Sequence, residues 1–201
     1  MRRRLLIVIL AGFLVGALGG AAALIVTSAQ GPKVETTGTA LIGGPFTLVD
    51  QNGKTVTDRD FRGKYMLIFF GFTHCPDICP AELQVMSAAL DALGSKADEV
   101  VPVFVTLDPE RDTSEVVGTY VKNFGKNFVG LTGSPSAIAN AAKAYRVTYS
   151  KFEYNGKDVN YRYSIDHSAL VYLMDKDGQY LTHFTYGTPA SKRTETMRSY
   201  L

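Results

Sequence analysis

Cysteine is nearly absent from this chain: Cys75 and Cys79 are the only two in 201 residues. Two cysteines are too few for the disulfide scaffold on which small secreted domains depend. Positive charge is missing where a nucleic-acid-binding chain would need it. The chain carries 21 Lys and Arg against 19 Asp and Glu, but three of the basic residues are Arg2, Arg3 and Arg4. Beyond them 21 − 3 leaves 18 basic against 19 acidic, a net of −1. No basic stripe follows, and nucleic acid is excluded as a partner. There is no internal repeat and no low-complexity tract. Histidine is scarce as well, at three residues: His74, His167 and His183.

Charge is absent altogether from Leu5 to Val26. A helix crosses a bilayer core with about 20 apolar residues, whereas the core of a cleavable signal peptide has about 7–15. The run therefore reads as a retained anchor, although Thr27-Ser28-Ala29 offers small residues at which cleavage is conceivable. The arginines before it stay cytoplasmic and the rest lies on the far side. The resulting division is a cytoplasmic N-terminus (1–4), a transmembrane anchor (5–26), a Gly-, Thr- and Pro-rich linker (27–44) and one domain (45–201). The natural setting is a single pass through a bacterial inner membrane, with the domain in the periplasm.

Within the domain, two segments around Asp50-Gln51-Asn52-Gly53 form a hairpin signal, Phe46 to Val49 and Lys54 to Thr57. Tyr65 to Phe70 is a buried strand. Leu83, Met86, Leu90 and Leu93 recur at helical spacing and Gly94 ends that helix. Val100 to Leu107 is a further strand. Thr113 caps a helix to about Phe124, Asn127 to Leu131 is a short strand, and Ser134-Pro135 opens a helix through Tyr145. Ser168 to Met174 and Gln179 to Phe184 flank a second hairpin turn, and a last helix covers Pro189 to Tyr200. The order predicts an α/β fold, a central mixed sheet flanked by helices. The closing hairpin and helix, with a cysteine pair at a strand's C-terminal end, select a thioredoxin-like version.

The cysteines lie in Gly71-Phe72-Thr73-His74-Cys75-Pro76-Asp77-Ile78-Cys79-Pro80. Pro80 suits a first helical position and disfavours helical geometry at Cys79, so the helix is expected to begin at Pro80 with Cys79 at its cap. Cβ atoms four apart on a helix are about 5–6 Å from each other, while a disulfide needs about 3.5–4.5 Å. The two prolines permit the closer approach or a metal-bridged one. Helix N-terminal amides favour thiolate, which is both the nucleophile and the metal ligand. A purely structural bridge over three residues restrains little chain entropy. Thiol–disulfide chemistry and soft-metal binding both remain open on these residues alone.

That ten-residue run resembles the motif of the Sco/SenC family. Thr106-Leu107-Asp108-Pro109-Glu110-Arg111-Asp112-Thr113 and Asp166-His167-Ser168-Ala169 resemble two further signatures of it, in order and at matching spacing from about Gly44 to Phe184. The resemblance implies a membrane-anchored, thioredoxin-fold copper metallochaperone for cytochrome c oxidase. It implies Cys75, Cys79 and His167 as ligands of Cu(I) or Cu(II), and the dinuclear copper site of oxidase subunit II as the target. It also implies a periplasmic copper donor or thiol reductant. Two thiolates and an imidazole suit copper, yet zinc accepts the same set with water; the resemblance, not the donor set, names copper. Three exposed ligands would release a metal stepwise. The rival reading is a thiol–disulfide reductase acting on the target's cysteines, with Cys75 as nucleophile. A peroxidase needs a Thr and Arg placed around its cysteine, and nothing in the sequence places Thr73 and Arg111.

His167 is expected at the head of the strand Ser168 to Met174, where no proline stands. Asp166 faces away by strand parity. His74 reads as a modulator of its neighbouring thiol or a partner contact, and His183 as unrelated. Asp112 reads as turn or cap chemistry, while Asp108 is a candidate to face the site. The aromatic segment Tyr145 to Tyr163, with Asn155-Gly156 as a hairpin tip, reads equally as a β-excursion packed on itself and as a docking loop.

Overall fold

A computed structural model describes residues 41–153 and 163–201. The expected anchor, its arginines and most of the linker lie outside the described residues, as does the Asn155-Gly156 tip. Among the described residues no helix is long and apolar enough to cross a membrane.

The strands are β1 (Thr47–Asp50), β2 (Thr55–Thr57), β3 (Tyr65–Gly71), β4 (Val100–Thr106), β5 (Val129–Thr132), β6 (Tyr149–Glu153), β7 (Tyr163–His167), β8 (Leu170–Met174) and β9 (Tyr180–Thr185). The α-helices are α1 (Ile78–Leu93), α2 (Ser114–Val121), α3 (Pro135–Ala144) and α4 (Ala190–Arg198). Seven strands form one sheet in the order β2-β1-β5-β4-β3-β8-β9, and β6 with β7 forms a separate two-stranded sheet. β3, β4 and β5 run parallel, whereas β1, β8 and β9 join antiparallel. This is the expected α/β thioredoxin-like fold with its N-terminal hairpin.

Local chemistry accounts for the elements. Asp50 Oδ1 accepts from the amides of Asn52 and Lys54, and Gly53 takes φ +78°, closing the first hairpin. Thr113 and Ser134 cap α2 and α3 through their hydroxyls. β3 is apolar throughout because helices cover both faces of the sheet. Phe104 meets Tyr120 of α2 and its neighbour Phe69, while the alternate residue Phe70 meets Tyr145 at the end of α3.

Several boundaries differ from the sequence expectation. α1 begins at Ile78, with Asp77 as its cap, rather than at Pro80. Pro80 is then the third helical residue, where a missing amide costs nothing because that position has no intrahelical acceptor. α2 stops at Val121 because turn bonds to Tyr120 and Val121 take over. β5 starts at Val129, after a turn at Gly125 with φ +148°. β8 starts at Leu170, and His167 instead closes β7. β6 and β7 thus pair antiparallel with each other, with Tyr145 buried in the main core.

Candidate metal centre

The site forms at the C-terminal ends of β3 and β4. Gly71 ends β3, and a Cβ there would stand 2.8 Å from Cys79 Sγ, 3.0 Å from the Phe69 ring and 3.1 Å from the Phe104 ring. Glycine at this position makes room for the buried sulfur. The chain then turns, with the Cys75 amide donating to the Phe72 carbonyl, and enters α1 with Cys79 in its first turn. The Cys79 amide donates to Cys75 Sγ at 3.4 Å, and both cysteines are free thiols.

The two sulfurs differ. Cys75 is half-buried, and its pKa is held down at about 5. The hydrogen bond from the Cys79 side chain is the main cause, opposed by burial and assisted by the backbone of Cys79 and Asp77 and by His167. Cys79 is fully buried and pushed the other way, by sharing its proton with Cys75, by burial and by the charge on Cys75. The two thiols titrate as a coupled pair, and the first proton leaves the exposed side of it, Cys75, more readily than the buried one. The expectation of three exposed ligands fails here, because Cys79 is fully buried on the inner side of the first turn of α1, beside Gly71.

His167 reaches this pair from the far end of the chain. Its Nε2 lies 3.5 Å from Cys79 Sγ, and its Nδ1 lies 3.2 Å from the Ser168 carbonyl. A proton on Nδ1 donated to that carbonyl leaves the Nε2 lone pair aimed at the sulfur. The ring packs edge-on against Phe69 and Phe72, with centroids 6.0 and 6.1 Å away. The Ser168 carbonyl, not Asp166, holds the imidazole; Asp166 is exposed, as its strand parity required. Cys75, Cys79 and His167 are therefore neighbours. Among the described residues, however, no three His, Cys, Asp or Glu side chains are already closed into a cage for a metal ion.

Asp112 is no mere cap. It is fully buried and accepts from the Thr73 amide at 2.9 Å, the Thr73 hydroxyl at 2.5 Å and the Thr106 hydroxyl at 2.6 Å. It therefore ties the loop before Cys75 to the end of β4. His74 joins this group, 3.1 Å from the Thr73 hydroxyl and 3.6 Å from Asp112. Asp108 is also fully buried, but it pairs with Arg111 and accepts from the Tyr163 hydroxyl at 2.7 Å rather than facing the thiols. Thr73 and Arg111 are thus committed to carboxylates, which removes the support for a peroxidase. His183 meets Tyr180 on the edge hairpin, as expected of a residue outside the site.

One feature escaped the sequence reading. Glu82, three residues beyond Cys79, forms a fully buried ion pair with Arg193 of α4. The available signal was a carboxylate beside Leu83 and Met86 on the apolar face of α1.

The family model described as SCO1/SenC matches residues 34–201. The human mitochondrial protein SCO1 homolog is 44% identical over 149 residues, 73% of this chain and 48% of that protein. The chain spans about half the length of this relative and of the Arabidopsis and mouse homologs it also matches. The crystal structure of Arabidopsis thaliana ScoI with copper bound superposes with a TM-score of 0.74 at 42% identity, covering 79% of this chain and 96% of that one. Bradyrhizobium japonicum ScoI with copper bound gives 0.72 at 44% identity, covering 80% and 99%.

Proposed function

The chain belongs to the SCO1/SenC family, and from that premise we propose that it is a copper metallochaperone. Its cargo is Cu(I) or Cu(II), held by the thiolates of Cys75 and Cys79 and by Nε2 of His167. The observation that carries the reading is the 3.5 Å approach of His167 to Cys79 across 88 residues of sequence. Two soft sulfurs and one borderline nitrogen suit copper in either state, and the copper-bound relatives separate it from zinc. Copper is passed to the dinuclear site of cytochrome c oxidase subunit II. Cys75 and His167, both partly exposed, are the ligands a recipient reaches first, and Cys79 releases last.

The remaining assignments belong to the same reading. Residues 5–26 anchor the chain in a bacterial inner membrane, residues 1–4 stay cytoplasmic and residues 45–201 work in the periplasm. A periplasmic donor supplies the copper, and a thiol reductant keeps the pair reduced.

A second reading, thiol–disulfide reductase, draws on the asymmetry of the pair. An accessible thiol titrating at about 5 beside a buried protonated one is the arrangement of attacking and resolving sulfurs. The test is anaerobic titration of the reduced full chain with Cu(I) and Cu(II), with His167→Ala alongside. The chaperone reading expects a one-to-one complex with sulfur-to-copper charge-transfer absorption, weakened by the substitution. Unchanged affinity in His167→Ala removes the histidine from the site. No stoichiometric binding, with the thiols still reducing a model disulfide, leaves the reductase.

A further inference from the structure

His167 stands on β7, which with β6 exchanges no ladder hydrogen bonds with the seven-stranded sheet among the described residues. Its place beside Cys79 must come from something else. Tyr163, Ile165 and His167 alternate onto one face of β7. Ile165 is buried in the core, and His167 meets Cys79. Tyr163, at the other end, is gripped by a single turn of chain. Its hydroxyl donates to Asp108 Oδ1 at 2.7 Å, and its ring lies under the Arg111 guanidinium at 3.8 Å. Its carbonyl accepts from Arg111 Nη1 at 3.3 Å, and Arg111 is itself paired with Asp108. On the neighbouring strand Lys151 pairs with Glu110 at 2.7 Å.

The same turn holds the thiol side. The Arg111 and Asp112 amides donate to the Asp108 carbonyl, which makes 108–112 one compact unit. The Leu107 amide extends the β3–β4 pairing by donating to the Gly71 carbonyl at 2.7 Å. Asp112 binds Thr73 through both amide and hydroxyl. One short segment therefore grips the cysteine loop with one buried carboxylate and the histidine strand with another.

We propose that residues 106–112 are a brace, and that Tyr163 is the positioning residue through which it sets His167 against Cys79. The inference deepens the copper reading, since it names what assembles that site. Tyr163 touches neither sulfur; it acts on the site through the strand. Removing its hydroxyl takes away the bond to Asp108 and loosens the outer end of β7, which the Arg111 stack alone holds less firmly. His167 then loses its fixed distance from Cys79, and the site loses its third donor for part of the time.

The test uses the full chain in detergent, reduced and metal-free, with isotopically labelled histidine; only three histidine ring spectra need assignment. In the wild type the His167 ring protons are shifted by the Phe69 and Phe72 rings and show Overhauser contacts to them. Tyr163→Phe and Asp108→Asn move the His167 resonances towards free imidazole and weaken those contacts, while His183 stays unmoved. Copper affinity in Tyr163→Phe falls about tenfold, the scale of one charge-assisted hydrogen bond. The same change in a His167→Ala background has no further effect. His167 resonances unchanged in both variants overturn the brace, whatever copper does. An equal loss of affinity in both backgrounds overturns it too, since Tyr163 would then act without His167. A wild type that binds no copper defeats the chaperone reading alone, because the metal-free spectra still decide the brace.

Discussion

Cys75 and Cys79 stand four positions apart in opposite surroundings. Cys75 accepts hydrogen bonds at the mouth of α1, and Cys79 is sealed beside Gly71. Opposed titrations follow, and the reactivity of the reduced protein exposes them. A lowered thiol pKa means that the nucleophilic form is present above it and lost as pH falls through about 5. An ordinary thiol would lose it near 8.5. Iodoacetamide should therefore modify Cys75 at a rate that is flat above about pH 6 and declines with a midpoint near 5. Cys79 should remain unmodified until the chain is unfolded. Peptide mass mapping over a pH series reads both, and equal labelling of the two sites, or a midpoint near 8.5, rejects the asymmetry. The identity of these residues was legible because two cysteines, two prolines and a following helix sit within ten positions. Burial of Cys79 was not, because it depends on the absence of a Cβ at Gly71 and on rings from β3 and β4. Asp112 was misjudged for a similar reason: its partner Thr73 is 39 residues away.

Helix α1 carries Cys79, and α4 is what it rests on. The Thr194 hydroxyl donates to the Ala89 carbonyl at 3.0 Å, Arg198 donates to the Ala92 carbonyl at 2.6 Å, and Arg193 pairs with Glu82 in full burial. Arg193 also donates to the Thr188 carbonyl and lies over the Phe184 ring. A buried pair contributes little net stability against an apolar substitute, but a lone buried charge is expensive. Arg193→Met should therefore cost about 3–5 kcal/mol, read as a lower denaturant midpoint. Adding Glu82→Leu should recover most of that loss. A double variant no better than the single one would mean that Glu82 is not stranded by the loss of its partner. Sequence patterns located α1 and α4 to within a few residues through their apolar spacing and end signals. They misplaced His167 at the head of β8 because Ala169 to Met174 continues as one apolar run. The break comes from Ser168, whose amide and hydroxyl engage Thr148 twenty residues earlier.

At the scale of the whole molecule, the thiol pair restricts the compartments in which the domain can work. A reduced pair with a thiol titrating at about 5 is open to oxidation in an oxidising compartment unless a metal or a reductant occupies it. The proposed topology, three arginines ahead of an uncharged run from Leu5 to Val26, would put the domain in such a compartment. On the proposed topology, a retained anchor confines the domain to the membrane in which the proposed oxidase target is embedded. Retention of the anchor is what produces that confinement, and cleavage after Thr27-Ser28-Ala29 would abolish it. Alkaline phosphatase fused after Leu201 should be active in bacterial cells, and the fusion should stay in carbonate-washed membranes with an intact N-terminus by mass. An inactive reporter reverses the orientation. A soluble product beginning near residue 30 makes the first 29 residues a signal peptide and releases the site to diffuse, so that encounter with the target would rest on recognition by the domain alone.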